Sequence, residues 1–112
     1  MSRKVNLEML IDDIDVECGF VFDSEGVLDR SLYLDLAENF AAMSGMITTM
    51  CKEIMEDFNL GELDEIILNT NSGLFFVKKI QNNEYLGIVT KDSSKLALIH
   101  MKLQNLLKEV AA

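Results

Sequence analysis

The sequence predicts an α/β (α+β) fold, a three-layer α/β/α sandwich on a five-stranded antiparallel sheet, with element order α-β-β-α-β-β-β-α. Three observations lead there. Apolar residues recur at intervals of three or four in three separate stretches, the longest near residues 31–58. Five short apolar runs rich in β-branched and aromatic residues lie between those stretches, set apart by turn-forming residues. The runs "GFVF", "IIL", "FFV" and "LGIV" are apolar at consecutive positions, whereas a sheet with one solvated face alternates, so helices are predicted on both faces.

Taken in order, an amphipathic helix is predicted over residues 5–14, with Val5, Met9 or Leu10, and Ile14 on one side. The period then changes: "VECGFVF", the turn "DSEG" and the short run "VLD" read as a hairpin. A long helix is predicted from residue 31 to residue 58, and Asn59 and Gly61 supply left-handed stop signals beyond it. "LDEIILNT", "LFFVKKI" and "YLGIVTK" follow as a meander, separated by "NSG" and "QNN". Asp92 or Ser93 caps a final helix whose stripe is Leu96, Ile99, Leu103, Leu106 and Val110. With no proline, repeat, low-complexity segment or linker, residues 1–112 read as a single domain.

The middle of the long helix is unusual. Residues 39–51 carry no formal charge, in a chain whose net charge is -9. On a helical wheel of about 100° per residue, Leu36, Phe40, Met43, Ile47, Met50, Ile54 and Phe58 form one stripe, predicted to face the sheet. Beside it run Ala37, Ala41, Ser44, Thr48 and Met55, mostly small, which would let a second helix approach closely. The opposite flank holds Asn39, Ala42, Met46 and Thr49. Charges return at the ends, with Glu38 on one side and Lys52, Glu53, Glu56 and Asp57 on the other. An uncharged surface inside a polar rim is the composition of an association face.

Composition narrows the function. An excess of 19 acidic over 10 basic residues repels phosphate backbones and anionic lipid, so nucleic acid and membrane insertion are not expected. No apolar run approaches the roughly 18 residues of a spanning helix, and the expectation is a cytoplasmic protein. Cys18 and Cys51 are read as reduced, small hydrophobes. No phosphate-binding or dinucleotide-binding glycine loop occurs, and Asp12, Asp13, Asp15 and Glu17, with Asp23 and Glu25 near, lack the calcium-loop pattern. His100 has no second histidine to work with. No nucleophile and base can be paired, so the expectation is a non-enzyme with no catalytic residues, cofactor or metal.

The whole chain resembles the roadblock family, the dynein light-chain roadblock type of domain, related in architecture to longin and profilin-like folds. The residues that carry the resemblance are "IDVECGFVFDSEGVL", an apolar strand with a glycine followed by a D-x-x-G turn; the alanine-rich helix "LAENFAAMSGMITTM"; and "LGELDEIILNTNSGLFFVKKIQNNEYLGIVTKDSSKLALIHMKL". The chain departs from the family at Ile14 and Asp15, where many members have proline, and at His100, where arginine is frequent. The resemblance implies a homodimer in which the long helices pack together and the third strands pair edge to edge near residues 66–70. The expected interface is then Ala37, Ala41, Ser44, Thr48 and Met55 with Ile66, Leu68 and Thr70. "IILNT" fits, since it lacks the lysine or proline that protects a free edge.

The same resemblance implies a regulator or scaffold of a Ras-like small GTPase, contacted through Asn39, Ala42, Met46 and Thr49. The alternative is a structural dimerisation or light-chain subunit of a larger motor or trafficking complex without a GTPase. An activator can supply an arginine in trans. Only Arg3 and Arg30 are available, so any effect on a GTPase is expected to come from binding one switch conformation.

Overall fold

A computed structural model describes residues 6–111. The elements are α1 (Leu7–Ile14), β1 (Cys18–Phe22), β2 (Leu28–Leu32), α2 (Ala37–Asp57), β3 (Glu65–Thr70), β4 (Gly73–Gln81), β5 (Glu84–Thr90) and α3 (Leu96–Ala111), with a 3-10 turn at Ser93–Lys95 leading into α3. The five strands form one antiparallel sheet in the order β2-β1-β5-β4-β3. Val5 and Arg3 lie outside the described residues, as does the side-chain placement of Val110.

Local chemistry sets the boundaries. Asn6 caps α1, its side chain accepting from the Met9 amide at 3.0 Å, and Asp15 ends the helix in the left-handed conformation. Leu7, Leu10, Ile11 and Ile14 turn inward and Met9 outward, which settles the choice between Met9 and Leu10. Asp92 starts the last helical segment by accepting from the Ser94 amide at 3.0 Å; hydrogen bonds from the Ser94 hydroxyl and amide hold its carboxyl below the usual range.

Alternate residues of the central strands serve different layers. Val21, Leu74, Phe76, Ile80, Leu86 and Ile88 pack against α1 and against Ile99 and Leu103 of α3. Phe20, Phe22, Val77 and Tyr85 pack on the other side with Ala41 of α2. The rings there are close neighbours, with centroids 5.4 Å apart for Phe20 and Phe22 and 5.7 Å for Phe22 and Tyr85. Hence strands covered on both sides read as unbroken apolar runs.

Two expectations need correction. The long helix begins at Ala37, not residue 31. Residues 30–32 instead extend β2, which pairs Arg30 with Val21 and Leu32 with Gly19; Tyr33 and Leu36 then take positive φ and break the chain direction before the helix can start. The second correction concerns the wheel. The small residues Ala37, Ala41, Ser44 and Thr48 face the sheet and Gly45 the β1–β2 turn, while Leu36, Phe40, Met43, Met50, Ile54 and Phe58 are exposed, with Ile47 half-buried between the two sets. Large rings on β1 and β5 already fill the layer beneath α2, so the helix lies close only by presenting small side chains.

Candidate interaction surface

The exposed row on α2 follows from that rotation. Phe40, Met43, Ile47, Met50 and Ile54 recur at three and four residues along one side of the helix. Phe40 is 42% exposed and Met50 61%, against 0% for both Ala41 and Thr48. Because α2 lies chiefly over β1 and β2, it covers the β3–β4 half of the sheet only in part: Ile66 and Val77 are buried with the α2 cluster, while positions nearer the far end of β3 are open. Leu68 of β3 is therefore exposed, and its cross-strand neighbour Phe75 of β4 is half-buried. Between helix and sheet lies an apolar hollow of about 360 Å³, lined by Cys18, Phe20, Leu34, Phe40, Met43, Ser44, Ile47, Phe75 and Val89. An uncovered row joined to an apolar hollow is surface of the kind that partners cover.

The two edge strands are dissimilar. β2 carries an Asp29–Arg30 ion pair and pairs with β1 through a register shift at Val21–Phe22, both devices that discourage a further strand. β3 pairs with β4 in unbroken register from Glu65–Lys78 to Thr70–Gly73. Its one charged residue, Glu65, is engaged inward: His100 Nε2 of α3 lies 2.8 Å from Glu65 Oε2, and the imidazole meets the Phe76 ring edge-on at 5.2 Å. What remains along the edge, "IILNT", is uncharged.

The residues assigned to an interface from sequence divide accordingly. Ala37, Ala41, Ser44 and Thr48 are buried against the chain's own sheet, so the seam of small residues is not available to a second helix. Thr48 shows how completely it is turned in: its hydroxyl donates to the Ser44 carbonyl at 2.7 Å. Met55 is half-buried and Ile66 buried, whereas Leu68 and Thr70 are exposed on β3. On the outer flank Asn39, Ala42, Met46 and Thr49 are all exposed or partly exposed. The row that sequence reasoning placed inward, Phe40 to Ile54, is the one left open. The rings of Phe20, Phe22 and Tyr85 were the available signal, since bulk on the strands requires small residues on the helix above.

The β1–β2 turn fixes the outer flank. Gly26 has φ of +83° and presses on α2: a side chain at Gly45 would place its Cβ 2.5 Å from the Gly26 Cα. Thr49 Oγ1 donates to the Ser24 carbonyl at 3.2 Å, and the Ser24 amide donates to Asn83 Oδ1 of the β4–β5 turn at 3.2 Å. Gly45→Val is expected to force the turn off the helix, since backbone cannot yield as a side-chain tip does. The expected loss is about 1–3 kcal/mol in a urea titration, with amide NMR shifts centred on residues 23–27.

Among the described residues no group of three or more His, Cys, Asp and Glu side chains could hold a metal ion, and no helix is long and apolar enough to cross a membrane. The Cys18 thiol is pushed up from its ordinary range by burial and, less strongly, by the Glu17 carboxylate. Cys18 is accordingly expected to resist iodoacetamide at pH 8 in the folded protein and to react in urea, which mass spectrometry of the alkylated peptides reads directly.

One antiparallel sheet with a long helix on one face and two shorter helices on the other places the chain in the longin-like class of architectures. Within that class its architecture is the roadblock fold. It superposes on a Roadblock/LC7 domain from Streptomyces avermitilis with a TM-score of 0.78, at 17% identity over 94% of each chain. MglB from Myxococcus xanthus matches with a TM-score of 0.82 at 12% identity, over 90% of this chain and 85% of that one. The gliding protein MglB from Thermus thermophilus gives 0.77 at 11% identity, over 94% and 84%. No protein-family model and no curated protein sequence matches the chain.

Proposed function

We propose that the chain is a non-catalytic roadblock-type binding module that pairs with a second copy of itself and regulates or scaffolds a Ras-like small GTPase in the cytoplasm. The observation that carries this reading is the exposed row Phe40, Met43, Met50 and Ile54 on α2, which adjoins an apolar hollow whose wall includes Phe75, the cross-strand neighbour of Leu68 on β3. A second copy supplies matching apolar surface for the row and a matching edge for β3, which is the arrangement that the roadblock resemblance implies. The expected interface therefore moves from the small residues of the helix to its large ones, and keeps Leu68 and Thr70 of β3.

In that arrangement the flank Asn39, Ala42, Met46 and Thr49 points away from the row and is the GTPase contact. The module acts by binding one nucleotide state of its partner more tightly than the other, and its effect is limited to that difference in affinity. Arg30 supplies no finger in this reading, since it points to the α1 and α3 side of the sheet with Val21 and is paired with Asp29. Affinity capture of the tagged protein from native extract, with GDP in one half and a non-hydrolysable GTP analogue in the other, tests the reading. A small GTPase enriched in one half is the expected result. The same non-GTPase proteins in both halves would make the chain a structural subunit instead.

A further inference from the structure

We infer that the cleft at the C-terminal end of α2 is a binding site for a small organic carboxylate, whose charged end is held by Lys52, Lys79 and the Tyr85 hydroxyl. The cleft encloses about 540 Å³, a volume within the range of small-molecule sites, and lies between α2, residues 59–63 and the strands β4 and β5. Its walls are fixed by the fold. Leu63 packs into the cluster of Phe20, Phe22 and Tyr85. The turn before it is set by Asn59 and Gly61 in the left-handed region, with the Leu60 amide donating to the Met55 carbonyl at 2.8 Å. Lys79 and Tyr85 are cross-strand partners, so they rise from the same face of the sheet, toward α2.

Two donors in this cleft lack partners. Tyr85 is 2% exposed, and its hydroxyl makes no hydrogen bond among the described residues. The one buried side-chain oxygen or nitrogen without a partner among those residues is Glu84 Oε1, so the Tyr85 hydroxyl still reaches the surface, and it does so at the cleft that its side chain lines. Lys52 is the second donor. It is half-buried, and every other half-buried lysine of the described residues has an ion-pair partner: Lys78 with Asp64, Lys79 with Glu62, Lys95 with Asp15 and Lys102 with Asp13. Glu56 stands one turn beyond Lys52 but is exposed and follows the lysine, the weaker order for such a pair. Lys79 is held loosely, 3.7 Å from a Glu62 carboxylate that is 92% exposed. In a chain with 19 acidic against 10 basic residues, two ammonium groups and a hydroxyl without a firm acceptor call for an oxyanion from outside. Glu56 and Glu62 line the same cleft and set the charge that it takes: they repel a phosphate dianion more strongly than a carboxylate, and they accept from hydroxyl or amino groups on the body of the ligand.

None of these residues belongs to the α2 row or to the flank Asn39, Ala42, Met46 and Thr49, and at about 100° per residue Lys52 falls on the opposite side of α2 from Met50 and Ile54. The site therefore stands or falls apart from the pairing and the GTPase contact. Succinate and benzoate, each to about 20 mM, are titrated into the ¹⁵N-labelled protein beside succinamide, benzamide and inorganic phosphate. At least one of the two carboxylates is expected to shift amides of residues 52–63 and 79–85, while the neutral amides and phosphate leave them in place. Lys52→Met, which keeps the apolar stem, is expected to weaken that binding about tenfold and Tyr85→Phe about threefold, with urea midpoints close to the wild type because neither group gives up a partner. Absence of shifts with both carboxylates, shifts centred elsewhere, equal shifts with the matching amide or with phosphate, or unchanged affinity in either variant would overturn the inference.

Discussion

If copies pair as proposed, Met43→Glu combined with Ile54→Glu is expected to give a folded monomer, with a light-scattering mass of one chain at concentrations where the wild type is expected to have the mass of two. Both side chains are about half exposed in the single chain, so glutamate at either place meets water and leaves the domain's own core intact. In the proposed pair the same carboxylates would lie inside the seam. An unpaired charge taken out of water there costs several kcal/mol, which is at least a hundredfold in the dissociation constant. Far-UV circular dichroism and the thermal midpoint, measured below the wild type's dissociation concentration, are expected to match those of the wild-type monomer. A double variant that retains the mass of two chains would exclude the α2 row from the interface.

Ala41→Arg is expected to do the opposite and abolish the fold. Ala41 has no exposed surface and packs among Phe20, Phe22, Val77 and Tyr85. Arginine there overfills the layer, at about 1–3 kcal/mol, and buries a cation without a partner, at about 3–5 kcal/mol more. Against a domain stability of about 5–15 kcal/mol the sum is disabling. The informative control is Ala42→Arg, one residue along and exposed, which is expected to move the urea midpoint little. If Ala41→Arg instead folds as a stable monomer, the small stripe forms the seam between copies and the orientation of α2 described above is wrong.

These two variants also mark what the sequence could and could not reveal. Element order, sheet direction and the three layers were legible because each rests on a local signal: the 3.6-residue period of three helices, the consecutive apolar residues of strands covered on both sides, and left-handed or turn residues at Asn59, Gly61 and Asn83. The start of α2 was not legible. Serine, leucine and tyrosine at residues 31–34 suit a helix, and only pairing with β1, a contact distant in sequence, holds residues 30–32 extended.

The orientation of α2 was missed for a related reason. A helical wheel finds an apolar stripe, but it does not say whether that stripe meets the chain's own sheet or another chain. Thr48 and Ser44 look polar on a wheel, yet both are buried, and Thr48 satisfies its hydroxyl within the helix. The volume of Phe20, Phe22 and Tyr85 decides the matter, and that is a property of the assembled layer. The outer flank was easier, because Asn39, Ala42, Met46 and Thr49 lie opposite the buried face whichever stripe faces a partner. The β1–β2 turn seated beside them depends on Gly26 and Gly45, far apart along the chain, and only the fold brings these together.

The most direct test of the central claim, that the α2 row and the β3 edge form one surface covered by a second copy, is amide hydrogen exchange along Glu65–Thr70. A lone edge strand leaves every other amide without a partner and open to solvent. If copies pair as proposed, the β3 amides of the wild type are expected to be protected like those of β5, and the outward-pointing ones to lose that protection in the Met43→Glu/Ile54→Glu variant. Outward β3 amides that exchange as fast in the two-chain species as in the variant would contradict the edge-to-edge arrangement.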